Sequence, residues 1–157
     1  MEVSRLGGGL LTLAYEVRGR IADLSLPTPA APDRTDELWK HTCFEAFVRP
    51  APGEAYLEFN AAPSTQWAAY GFERTREGMH NAEVPAPRIE THSARDRFDL
   101  HAVLDLRSLG AGPWRLNLSA VIEETSGARS YWALAHPAVQ PDFHHPDAFT
   151  LDLLEPA

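Results

Sequence analysis

Alternation of side-chain character over residues 42–61 restricts this chain more than any other feature of its sequence. Two runs of period two, Thr42 to Val48 and Tyr56 to Ala61, flank the turn-forming segment PAPGEA, the pattern of an antiparallel hairpin with a loop of several residues. Strand side chains point alternately to opposite faces. Phe44, Ala46 and Val48 therefore share one face with Leu57 and Phe59, while Cys43, Glu45 and Phe47 share the other with Tyr56, Glu58 and Asn60. The first face is core, and the hairpin is expected in mid-sheet. The second sets two carboxylates and an amide among aromatic rings, and charge on a half-apolar surface costs free energy unless something pairs with it. That face is where a ligand is expected.

The same period recurs along the chain, in Leu11, Leu13, Tyr15 and Val17, in Phe98, Leu100, Ala102, Leu104 and Leu106, and in Leu116, Leu118, Ala120 and Ile122. Shorter strands are expected at Ile21–Leu26, Arg88–His92, Ser130–Ala135 and Ala148–Leu154, the first of them pairing back through Arg18-Gly19-Arg20. PSTQWAAYGF permits a short helix capped by Ser64 or a strand, and its aromatic content favours the strand. Gly7, Gly8 and Gly9 lack phosphate-loop spacing and read as an entry turn. PTPAAPDRTDE reads as an exposed crossing loop, and residues 74–87, with no apolar period, as a long loop.

No helical pattern competes, so the predicted fold is all-β, an antiparallel two-sheet β-sandwich. Phe44, Val48, Leu57, Phe59, Leu100, Leu104, Leu118 and Ile122 are expected between the sheets, with Trp67 and Trp132 also in the core. A chain of 157 residues suits one domain spanning residues 1–157. A net charge of −8 with dispersed basic residues argues against nucleic acid and anionic membrane as partners. Cys43 alone excludes an intrachain disulfide, and Met1 to Val17 hold no apolar segment of signal or membrane-spanning length, so a cytoplasmic location is expected.

Motifs for catalysis are sparse. GxSxG, P-loop and dinucleotide fingerprints are missing, and Cys43 within a strand reads as a small buried residue. Glu45 and Glu58 form an acid–base candidate, because cross-strand carboxylates can fall at the separations that retaining glycosidases use. The late loop AHPAVQPDFHHPDAF carries His136, Asp142, His144, His145 and Asp147, all metal-ligand types. Its spacing matches no metal motif, and consecutive His144 and His145 point apart in extended chain, so bracing of the loop backbone and hydrogen bonding to a ligand stand beside a zinc or iron site. Met79-His80 is the candidate for a haem ligand above an apolar pocket. A protein-interaction module without a small ligand is a third class, and no metal or cofactor is assigned.

LWKHTCFEAFV, AYLEFNAAPSTQWAAYGF and LNLSAVIEETSGARSYWALAHPAVQPDFHHPDAFTLDL together resemble the DOMON-like domains related to family 9 carbohydrate-binding modules. The resemblance implies a β-sandwich of jelly-roll type whose relatives bind sugars or, in a cytochrome branch, haem. It also implies a site: a Trp shortly before one strand, a Glu within it, polar groups on the next strand and an aromatic in a late loop. Trp39, Glu45, Glu58 with Asn60, and Phe143 stand in those places, Phe143 where a Trp is usual. The chemistry is coherent without the family, since a pyranose offers apolar C–H faces to rings and a belt of hydroxyls to carboxylates and amides. Trp39, Glu45, Glu58, Asn60 and Phe143, with His144 nearby, are thus expected to converge on one concavity. The expected function is non-catalytic binding of a small ligand, a carbohydrate or sugar-like metabolite. Against it stand Trp39 as a plug closing the sandwich end and Glu45 as the salt-bridge partner of Arg74 or Arg76.

Overall fold

Alternating runs become strands nearly everywhere, and their pairing decides which face each buries. The computed structural model describes residues 1–154. Its strands are β1 (Glu2–Leu6), β2 (Leu10–Arg18), β3 (Cys43–Pro50), β4 (Tyr56–Ala61), β5 (Trp67–Phe72), β6 (His80–Asn81), β7 (Arg88–Ser93), β8 (Arg97–Asp105), β9 (Trp114–Glu123), β10 (Arg129–Ala133) and β11 (Leu151–Leu153). They form two antiparallel sheets, one of four strands in the order β1-β2-β8-β7 and one of seven in the order β10-β9-β3-β4-β5-β6, with β11 also on β9. β10 and β11 divide one edge of β9, pairing with Ser119–Glu123 and Trp114–Leu116 respectively. The fold is a β-sandwich. Among the described residues the helical segments are three-residue 3-10 turns, and no helix is long and apolar enough to cross a membrane.

Between the sheets, Leu11, Leu13 and Tyr15 of β2 and Phe98, Leu100 and Leu104 of β8 pack against Phe44, Ala46, Val48, Phe59, Leu116 and Leu118. Seven of the eight side chains expected between the sheets are buried, and Leu57 is half-buried against the same cluster. Phe44 stacks on Phe98 at 5.9 Å, and Tyr15 donates its buried hydroxyl to the Glu45 carbonyl at 2.6 Å, tying the sheets together at mid-hairpin. Burying a Leu- or Phe-sized side chain contributes about 1.5–3 kcal/mol, so this layer dominates stability.

Several expectations change. Ile21–Leu26 is no strand: Ile21–Asp23 form a 3-10 turn and Leu24 makes only an isolated bridge to Glu124. The cause is that β2 already has β1 and β8 on its two edges. The glycine turn therefore joins two strands, because β1 precedes it. Residues 74–87 are mostly loop but contain β6, whose His80 ring lies where a Cβ on Gly71 would come within 2.5 Å of it. A side chain at position 71 would force the exposed His80 ring to turn aside.

Trp67 is buried, stacked on Phe59 at 6.2 Å with its indole N–H on the Pro32 carbonyl at 3.0 Å. Trp132 is 60% exposed, contrary to expectation. It lies on edge strand β10, and a four-stranded sheet is too narrow to cover every strand of its seven-stranded partner. The final strand is shorter than expected, since Pro146–Ala148 form a 3-10 turn before β11.

Candidate functional site

β3 is buried on both faces from Cys43 to Val48, so its outer face is covered by something other than the second sheet. The cover consists of the turn Leu38–Lys40 and the late loop, whose Leu38, Trp39, Phe143 and Phe149 pack on an outer aromatic cluster of Phe47, Tyr56, Tyr70 and Phe72. Beneath them, register fixes two rows of side chains. Glu45 lies between Asn60 and Ser119, and Phe47 lies between Glu58 and Asn117.

The Ser119 hydroxyl donates to Glu45 Oε2 at 2.8 Å, and Asn60 Nδ2 donates to Glu58 Oε1 at 2.8 Å. Only 3% of Glu45 and 6% of Glu58 is exposed, so neither carboxylate can draw on bulk water. Burial, and then the charge of Glu58, push the Glu45 carboxyl up to about 8 against the opposing Ser119 bond. Burial also raises Glu58, opposed by its Asn60 bond and by Arg76. Glu45 therefore keeps its proton at neutral pH. On Glu58 an amide donor and a nearby guanidinium favour the anion against burial.

His144 crosses above this floor. Its Nδ1 lies 2.8 Å from the Tyr56 hydroxyl and its Nε2 lies 3.5 Å from Glu58 Oε2. Tyr56 Oη already accepts the Arg76 backbone N–H at 3.2 Å, so its own proton goes to Nδ1 and the imidazole proton sits on Nε2, facing Glu58. Burial, with the Arg76 charge, lowers His144 to about 4 although Asp142 pulls the other way, so the ring is neutral at pH 7.

Two loops reach the site through backbone that L-residues seldom adopt. Glu37 at φ 65° precedes the turn carrying Trp39 and Lys40, and Arg76 itself has φ 60°. Such conformations cost about 1–3 kcal/mol each and persist where surrounding contacts impose them. Trp39 meets Tyr70 edge-on at 5.7 Å, and the Tyr70 hydroxyl donates to Asp36 at 2.8 Å. Arg76 pairs with Asp142 at 2.7 Å, and Asp142 also accepts the His144 backbone N–H at 3.1 Å, which docks one loop onto the other. The Phe143 carbonyl accepts from Asn117 Nδ2 at 3.0 Å, and its ring lies 6.3 Å from Tyr131.

These elements enclose a cavity of about 500 Å³. Trp39, Phe47, Phe72, Tyr131 and Phe143 form its walls, Glu45, Glu58 and His144 its polar floor, and Lys40, Arg76 and Arg129 reach it from exposed positions. Of the residues expected to converge, Trp39, Glu45, Glu58, Phe143 and His144 line it. Asn60 does not: it is fully buried below Glu58, where it orients that carboxylate and lies 3.7 Å from the Cys43 thiol. Trp39 is half-buried over the outer face rather than plugging the sandwich end, and Glu45 is bonded to Ser119 rather than to an arginine.

The late-loop histidines diverge. His136 lies exposed 6.4 Å from Phe143, while His145 turns away to accept the Asp147 backbone N–H at 3.1 Å. Among the described residues no three His, Cys, Asp or Glu side chains gather closely enough to hold a metal ion. Sequence reasoning missed Lys40, Arg76, Arg129, Tyr131 and Met79 as cavity residues. Alternation along β10, which sends Tyr131 to the face opposite Trp132, was the available signal for Tyr131.

No family model matches the chain, and no curated protein matches it in sequence. A solved structure resembles it. The crystal structure of a proposed carbohydrate-binding protein from Bacteroides uniformis is similar with a TM-score of 0.66 at 16% identity, over 90% of this chain and 72% of the other. At that identity the likeness establishes the shared fold and nothing about the ligand.

Proposed function

We propose that this chain is a non-catalytic sugar-binding domain: a single jelly-roll unit spanning residues 1–157, related to the DOMON-like and family 9 carbohydrate-binding modules, and acting in the cytoplasm. The observation that carries the reading is the cavity's composition, aromatic walls around a floor of two buried carboxylates. Rings match the C–H faces of a pyranose, and a protonated Glu45 beside the Glu58 carboxyl offers both a donor and an acceptor to its hydroxyls. A volume of about 500 Å³ suits a mono- or disaccharide. The carbohydrate-binding description of the Bacteroides protein agrees with this reading.

Calorimetric titration against a panel of mono- and disaccharides tests it. Trp39→Ala should cost about 1–3 kcal/mol of binding through lost ring contact. Glu45→Gln should cost a similar amount where the acid donates to the sugar. A protein that stays folded and binds no sugar in the panel defeats the proposal.

One observation favours a second reading. Two coupled carboxyls with raised affinity for protons are the usual means of acid–base work on glycosides. Release of reducing sugar from aryl glycosides, abolished in Glu58→Gln, would move the site from binding to hydrolysis.

A further inference from the structure

The charges around the cavity narrow its ligand further than rings and carboxyls do. In a chain of net charge −8 with 14 Lys and Arg, the single lysine, Lys40, lines this cavity together with Arg76 and Arg129. They come from three separate segments: the 3-10 turn Leu38–Lys40, the loop after β5, and strand β10. Each has an ion-pair partner, Glu37 at 2.7 Å, Asp142 at 2.7 Å and Glu123 at 3.2 Å, and none of those three carboxylates lines the cavity. The lining of the cavity therefore includes the three cations and not their partners. Side-chain exposures of 54% for Lys40, 58% for Arg76 and 39% for Arg129 set them at the mouth, above a floor where Glu45 and Glu58 are almost fully buried.

Resting on the sugar reading above, we infer that the ligand is an anionic sugar, with its ring on the aromatic walls and a carboxylate or phosphate substituent at the mouth among Lys40, Arg76 and Arg129. Below these three cations lies the floor, where Glu45 keeps its proton at neutral pH and negative charge falls to Glu58. That charge lies deep, beside the Asn60 amide and the neutral His144 ring, so it repels an anion at the floor and orients the ligand with its acidic group outward. The negative charge of the whole protein gives a bulk anion no general attraction, so selectivity must come from this local cluster.

The test is titration of the full chain with matched neutral hexoses and hexuronic acids of gluco, galacto and manno stereochemistry, and with the corresponding hexose 6-phosphates. At low ionic strength the best acidic sugar should bind about tenfold more tightly than its neutral parent, with most of the gap closing as salt shortens the screening length. In Lys40→Gln and Arg129→Gln, each judged folded by its melting temperature, the acid-to-neutral affinity ratio should fall about threefold. The uronate and phosphate arms tell which acidic group the mouth takes. A neutral hexose that binds as tightly as both acidic forms, or an affinity ratio unmoved by salt and by both variants, overturns the inference and leaves sugar binding standing. Failure of every neutral and acidic member to bind defeats the sugar reading itself.

Discussion

The two faces of β3 differ by one residue of register and by everything that follows from it. Phe44, Ala46 and Val48 meet a second sheet whose side chains are already aligned, so a dry apolar layer forms with few choices left open. Cys43, Glu45 and Phe47 meet loops, and loops close over polar groups without filling the space. The inner face is thus the source of stability, while the outer face keeps buried carboxyls that a close-packed layer would exclude. The cavity is the part of the sheet surface that packing leaves unfinished.

Phe44→Ala tests the inner half of the contrast and should have the largest effect. Loss of its contacts with Tyr15 and Phe98 should destabilise by about 3–5 kcal/mol in chemical denaturation, on the scale of buried Phe truncations. On the outer face, Glu45→Gln should act in the opposite direction above neutrality. A carboxyl raised to about 8 keeps its proton in the folded protein while the unfolded chain releases it above about 4.5, so the contribution is complete below 4.5 and is lost as pH climbs to 8. At pH near 9 the variant should therefore be more stable than wild type by ~2–4 kcal/mol, and near pH 4 the two should differ little.

His144→Gln probes the same floor from the acid side. Its folded value near 4 lies below the ordinary 6.5, so the unfolded state takes up the proton first and stability falls as pH drops from about 6.5 to 4. Wild type should lose about 2–3 kcal/mol to this residue over that interval, and the variant's pH–stability curve should be correspondingly flatter. The smallest effect is expected at Trp132. It lies on the uncovered edge of the wide sheet, and Trp132→Ser should change stability by no more than about 0.5 kcal/mol.

Alternation along single strands was legible and carried far: it alone put Glu45 and Glu58 on one face with Phe47 and Tyr56, and it separated Phe44 from them. Strand order was not. Ser119 reaches Glu45 from 74 residues away because β9 pairs with β3, and no local pattern announces that neighbour. Trp132 carries the same alternation as a core residue, and its exposure follows from the unequal widths of the two sheets. Lys40 and Arg76 sit in segments whose path depends on left-handed Glu37 and Arg76, residue types that give no hint of that conformation. Asn60 shows the limit from the other side: its face was readable, but its depth below Glu58 depends on which side chains the covering loops bring in.

The four tryptophans give the most direct test, because they report from different parts of the molecule: Trp39 at the cavity, Trp67 and Trp114 buried with the inter-sheet cluster, and Trp132 on the exposed edge. In a heteronuclear NMR titration with the sugar panel, the Trp39 indole resonance and the backbone amides of Glu45, Glu58 and Ser119 should shift together and saturate at one affinity, while the indoles of Trp67, Trp114 and Trp132 stay in place. Saturable shifts at Trp132 with Trp39 unmoved would contradict the account, because they would place binding at the open edge of the sandwich and leave the covered face as structure alone.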